Sequence, residues 1–317
     1  MSGKFPTAPV VAVTAALVAA ALPFLGPSEY ALYLMSLSVA FAIIASGLNI
    51  TNGYLGLLNL AAAGEVGLGA YGCVLGLKFG LPMIGALLAA VALGAVAAAF
   101  IFIIFARLQG FFFGLATLAA AEAIRLMLRN FDGLTNGVRG LRGYPQLAST
   151  PEMTYWILLA TLASIVAGIW ILMRSPVGLR WRAIRENRVK AAAVGIRVAR
   201  NQFIGFVVSG AIMALGGAFL SLLLQYIEPG VAALSTLVQI VLMVALGGPG
   251  TVMGPIIGAV IIALIPELLR VANELRLVMY GLALIAIVLA MPGGILGVLE
   301  RTARSRRLQR AGNDRKE

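Results

Sequence analysis

SPVGLRWRAIRENRVKAAAVGIRVAR, residues 175–200, decides how the rest of the chain is read. Together with Arg174 it carries eight basic residues and one acid, Glu186, between two long apolar runs. Clustered positive charge resists outward translocation, so such a loop marks the cytoplasmic face of a polytopic membrane protein. Ser175-Pro176 and Gly178 are expected to break the preceding helix. RWRAIRENRVKAAAVG then reads as one short helix closed by Gly195. On it Trp181, Ile184, Val189 and Ala193 fall roughly on one side, while Arg182, Arg185 and Arg188 face water or an acidic partner. A helix of this kind either lies on anionic lipid through its arginines or docks a soluble protein.

Composition supports a membrane chain. Apolar residues make up 61% of the sequence and charged residues 11%, against roughly half and a quarter in soluble domains. The net charge of +12 does not point to nucleic acid. Most of it sits in 174–200 and in the tail beyond Gly297, as positive-inside orientation requires. Cys73 is the sole cysteine and histidine is absent. That excludes an internal disulfide, zinc sites built on His or paired Cys, and His-based acid–base catalysis. An intramembrane enzyme is disfavoured on the same grounds.

Ten spans are expected, near 8–26, 31–50, 58–77, 81–106, 110–128, 153–173, 203–226, 233–249, 252–270 and 276–292. Residues 8–26 read as a retained first helix, not a cleaved signal. The third span is the weakest, with Asn59, Glu65 and five glycines. Six spans precede the basic loop and four follow it. Parity therefore puts both termini and Arg107 on the cytoplasmic side, and Glu29, Glu228 and Glu274 outside. The 129–152 loop is expected outside despite Arg129, Arg139 and Arg142, either as a solvated turn or as a landing surface for a secreted protein. The organisation expected is one transmembrane domain, 1–300, holding the 174–202 cytoplasmic loop, and a basic tail, 301–317.

Polar groups inside spans are costly and need protein, water or a partner. Glu122 and Arg125 stand three apart on one helix, close enough to pair. Glu65 has no basic neighbour in sequence. It either pairs across helices or meets a substrate amine. Asn49, Asn52 and Asn59 surround GLNITNGYLG (47–56), and a second interruption is LGGPGTVMGP (246–255). Both are loops between spans or broken helices lining a path, the asparagines replacing lost backbone hydrogen bonds or lining that path.

Several of these stretches resemble one family. SPVGLRWRAIRE with AAAVGI, GLNITNGYLGLLNL (47–60), GLGAY (67–71), ATLAAAEAIRLML (116–128), GLRGYP (140–145), LGGPGTVMGPIIGA (246–259), IPEL (265–268) and MPGGILGV (291–298) occur in order across nearly the whole chain. Together they resemble the permeases of branched-chain amino-acid ABC importers, the LivM-like branch. The chain departs from that pattern at Ala61-Ala62, where many relatives carry Gly-His, at Glu65, where they are apolar, and at Arg139, where they often carry an acid.

The resemblance implies an all-α ABC importer permease fold in a bacterial inner membrane, without enzyme activity of its own. Arg182, Arg185, Glu186, Ala191, Ala192, Ala193 and Gly195 would then form the coupling helix that docks on an ATP-binding subunit. Asn49, Asn52, Asn59, Glu65 and Glu122 are the candidates for the translocation path. The partners implied are a second related permease, two ATP-binding subunits carrying the ATP and Mg, a periplasmic binding protein and the lipid bilayer. No Walker A loop occurs in this sequence, so ATP hydrolysis by that mechanism belongs to another polypeptide. The expected cargo is a branched-chain or other apolar amino acid, with urea, short amides and aromatic acids as alternatives. A self-sufficient secondary transporter is the competing class. It would rely on Glu65 and Glu122 for ion coupling and leaves the Ala/Gly helix unexplained.

Overall fold

The computed structural model describes residues 28–268 and Pro23, with side chains to residue 264. The expected spans 8–26 and 276–292 and the basic tail, 301–317, lie outside the described residues. Helix α1 (Glu29–Leu48) starts at Ser28, whose hydroxyl accepts from Ala31 N at 3.2 Å, and runs into a π-helical turn, Asn49–Tyr54. Then follow α2 (Ala62–Lys78), α3 (Met83–Phe105), α4 (Phe111–Asn130) and α5 (Pro151–Arg174). Two short helices, α6 (Pro176–Glu186) and α7 (Arg188–Ala193), lead to the 27-residue α8 (Val198–Leu224). A helical hairpin closes the described part, α9 (Leu234–Gly247) and α10 (Gly254–Leu268). Among the described residues five helices are long and apolar enough to span: α1 with its π turn, α3, α4, α5 and α8.

Helix α8 is the hub, packed on α1, α2 and α3. Glycines make the contacts close. A Cβ at Gly69 would overlap the Ala214 backbone, and one at Gly217 would stand 3.0 Å from Val66 Cα. One at Gly216 would reach Ile44 N at 3.1 Å, and one at Gly94 would reach Gly210 O at 2.8 Å. Lipid tails are as apolar as leucine, so helix association here rests on such small-residue packing. The glycine-rich α2 is accordingly an interior helix, almost wholly buried. By contrast Ile84, Leu88, Val96, Phe100 and Ile103 of α3 point outward.

The helices alternate in direction, so the connections sort to two ends. One end holds residues 131–150 and the turn after α8. There β1 (Leu141–Arg142) pairs antiparallel with β2 (Tyr226–Ile227), and the Arg142 guanidinium lies 5.6 Å from the Tyr226 ring centre. Tyr144 OH donates to Ser221 O at 2.9 Å. Burial pushes that phenol up to about 12. Leu141 and Tyr144 anchor this loop on the helix ends, while most of its other residues are exposed to solvent. The opposite end holds α6, α7, the π turn and the α9–α10 connection.

Gly69→Val should drive side-chain atoms into the α8 backbone and cost about 1–3 kcal/mol. Gly168→Ala, whose Cβ would meet nothing within 4 Å, is the control. Thermal unfolding in detergent should show a lower midpoint for the first variant only. Equal midpoints would contradict the packing.

Candidate functional site

The basic segment folds differently from its expected form. The break after α5 is Ser175, which caps α6 by accepting from Val177 N at 3.2 Å; Pro176 opens the new helix at its first position. Gly178 lies inside α6, close against Met173. The single expected helix is two, because Asn187 leaves helical geometry (φ −161°) and caps α7, accepting from Lys190 N at 2.9 Å. Asparagine competes with the backbone in this way and favours caps over helix interiors.

That break rotates the face. Trp181, Ile184 and Ala191 are buried, but Val189 is 79% exposed and Val194 76%. The expected grouping of Val189 and Ala193 with Trp181 and Ile184 is therefore corrected. Val189, Ala192, Ala193, Val194 and Gly195 form an exposed apolar tip, with Glu186 also exposed beside it. Gly195 turns the chain at φ +84° with open space around it. The arginines reach back into the body. Arg182 Nη2 donates to Met173 O at 2.9 Å, and Arg188 Nη2 donates to Gln202 Oε1 at 3.0 Å. Arg185 lies over Gly56 and extends its guanidinium to Gly250.

The two glycine-rich interruptions meet at this same end. Asn49 joins them: its Nδ2 donates to Thr251 O at 2.8 Å and its Oδ1 accepts from Gly250 N at 2.8 Å. LGGPGTVMGP is the turn of the α9–α10 hairpin, with Thr251 Oγ1 accepting from Gly254 N at 3.1 Å. GLNITNGYLG is the π turn and its exit, where Leu57 N bonds to Thr51 O at 2.9 Å. Asn52 Oδ1 accepts from Asn59 N at 2.8 Å, and Asn59 Oδ1 from Ala61 N at 2.8 Å. The three asparagines thus serve irregular backbone. Thr117 and Ser209, not singled out from sequence, do the same: Thr117 Oγ1 accepts from Leu60 N at 3.0 Å, and Ser209 Oγ donates to Gly47 O at 2.7 Å. Hydroxyls in apolar helices are too common for their spacing to reveal such roles.

Glu65 is fully buried in the first turn of α2. Asn59 Nδ2 approaches its Oε2 at 3.5 Å, and Oε1 has no hydrogen-bond partner among the described residues. No cation pairs with it among the described residues. Glu122 is elsewhere, on α4, in an ion pair with Arg125 and with 46% of its side chain exposed. Leu115, Ala119 and Leu126 of the same helix are exposed, whereas Arg125 keeps only 23% of its side chain exposed. The structure therefore brings Asn49, Asn52, Asn59 and Glu65 together and holds Glu122 apart.

Residues 30–288 match the family described as the permease component of the branched-chain amino acid transport system. The permease LivM of the high-affinity branched-chain amino acid transport system in Salmonella typhimurium is 25% identical over 88% of this chain and 72% of its own length. The permease LivH of Escherichia coli is 28% identical over 58% of this chain and 64% of its own. The autoinducer 2 import permease LsrC of an Enterobacter is 24% identical over 73% and 66%. No solved structure matches the chain at a significant level.

Asn49→Ala removes both bonds that hold the hairpin turn. Each is worth about 0.5–1.5 kcal/mol, so hydrogen exchange over residues 247–254 should accelerate about 5–150-fold. Unchanged exchange there would show that other contacts hold the turn.

Proposed function

The chain belongs to the permease-component family of branched-chain amino acid transport systems, and on that footing we propose that it is the membrane subunit of an ATP-driven importer in a bacterial inner membrane. Its cargo is a branched-chain or similar apolar amino acid. LivM, which aligns along more of this chain than LsrC does, supports that choice of cargo over the autoinducer. A second permease and two ATP-binding subunits complete the assembly, the latter holding ATP and Mg. The end bearing α6 and α7 faces the cytoplasm. The opposite cap, with β1 and β2, receives a periplasmic binding protein.

The observation that carries this reading is the exposed tip of α7. Val189 and Val194 are apolar and uncovered, beside the small Ala192 and Ala193, in a segment dense with positive charge. Small side chains permit close helix approach, and the surrounding charge steers the encounter. Arg182 and Arg188 have their own partners within the chain, so they brace the tip and leave docking to Glu186, Ala192, Ala193, Val194 and Gly195.

The path runs beside the open face of α4. A carboxylate–guanidinium pair facing lipid is costly, so Glu122 and Arg125 face either the second permease or the aqueous route between subunits. Asn49, Asn52, Asn59 and Glu65 lie inside the body, apart from that face. In this reading Glu122 and Arg125 match the ammonium and carboxylate of a zwitterionic substrate.

Two substitutions test it in the assembled importer. Ala193→Trp should strip the ATP-binding subunits and lower uptake by more than about tenfold, a loss near 1.4 kcal/mol; intact co-purification with normal uptake would remove the tip from docking. Glu122→Gln should lower uptake more than Glu65→Gln, measured with radiolabelled leucine. The reverse order would move the path to the interior.

A further inference from the structure

Arg185 stands where three pieces of backbone meet. Its helix α6 is fixed by Trp181 and Ile184, both buried against the body. From that base its Cγ lies 3.0 Å, and its Cα 3.5 Å, from where a Gly56 Cβ would be. Its Nη1 occupies the space a side chain at Gly250 would take, and Gly53 O lies 3.1 Å from that same point. Gly56 (φ +62°) and Gly250 (φ +83°) are both in the left-handed region, where glycine is favoured. Gly250 is tied in turn to Asn49, at the end of α1. No carboxylate pairs with Arg185 among the described residues; the ion pair found there is Glu122–Arg125.

We propose that Arg185 is the positioning residue that transmits movement of the α6–α7 segment to the α9–α10 turn and, through Asn49, to α1. Its stem rests on the exit of the π turn and its head on the hairpin turn. A shift of α6 therefore presses the stem on the π turn or draws the head across the hairpin turn. The π turn joins α1 to α2, both packed on α8, and the hairpin turn joins α9 to α10, both packed on α1, so one displaced side chain biases the helices around the hub. Coupling carried by such a contact is a free energy shared between two ends, and a residue that carries it can be removed without removing either end. This role rests on the docking proposed for the α7 tip, but it differs from docking. It predicts a failure after the ATP-binding subunits have bound.

The test uses the complete importer in proteoliposomes, with leucine uptake and ATP hydrolysis measured together. Arg185→Ala should keep its ATP-binding subunits while uptake per ATP falls at least about fivefold, the lower range of allosteric couplings. Arg185→Lys keeps the stem over Gly56 but loses the planar head, and should fall between. Asn49→Ala should show the same loss. The double variant Arg185→Ala/Asn49→Ala should be no worse than the worse single one, because both lie on one route. Normal coupling in both Arg185 variants overturns the proposal, as do losses that multiply in the double variant. Dissociation of the ATP-binding subunits from Arg185→Ala also overturns it, by making Arg185 a docking residue. Failure of the docking reading itself shows differently: Ala193→Trp would then assemble and transport normally.

Discussion

Two hydrogen bonds on one amide organise the end of this molecule that carries the basic segment. Asn49 donates to Thr251 O and accepts from Gly250 N, joining positions about two hundred residues apart. Backbone that leaves helical geometry within an apolar environment must find partners in protein or water. The π turn and the hairpin turn find them in each other. Their glycines allow the close approach: Gly53 would carry a Cβ only 2.5 Å from Gly250 N. Arg185 then fits over both turns, and the basic segment acquires a fixed seat on the body.

The remainder follows from how α8 is surrounded. With α1, α2 and α3 against it through glycines, the interior is dense, and α3, α4 and α5 keep largely open outer faces. Those faces suit lipid where they are uniformly apolar, as on α3. They do not suit lipid where Glu122 and Arg125 emerge on α4. The contrast separates the membrane-facing part of the surface from the part that calls for a partner or an aqueous route.

Much of the fold was legible in sequence because apolar runs of span length have few alternatives. Each of the eight expected spans between 31 and 270 contains a helix, and five of those helices are long and apolar enough to span. The span judged weakest, 58–77, looked weak for a physical reason: a helix enclosed by other helices need not be apolar enough for lipid, and its glycines record close packing. The basic segment was less legible. Asn187 is a helix-capping residue in plain view, but the helix-forming residues around it masked the break, and with the break went the correct face. What no single-chain pattern carries is pairing at long range. Asn49 with Gly250, Arg185 with Gly56 and Tyr144 with Ser221 depend on the helices having already assembled. Local periodicity holds no trace of them.

The central claim is that the α7 tip faces the cytoplasm and receives the ATP-binding subunit. Val194→Cys tests it most directly, since Cys73 is buried and Val194 is open. A membrane-impermeant thiol reagent should label this variant in inverted vesicles and not in right-side-out ones, and bound ATP-binding subunits should protect it. Labelling from the periplasmic side, or equal labelling with and without those subunits, would contradict the account.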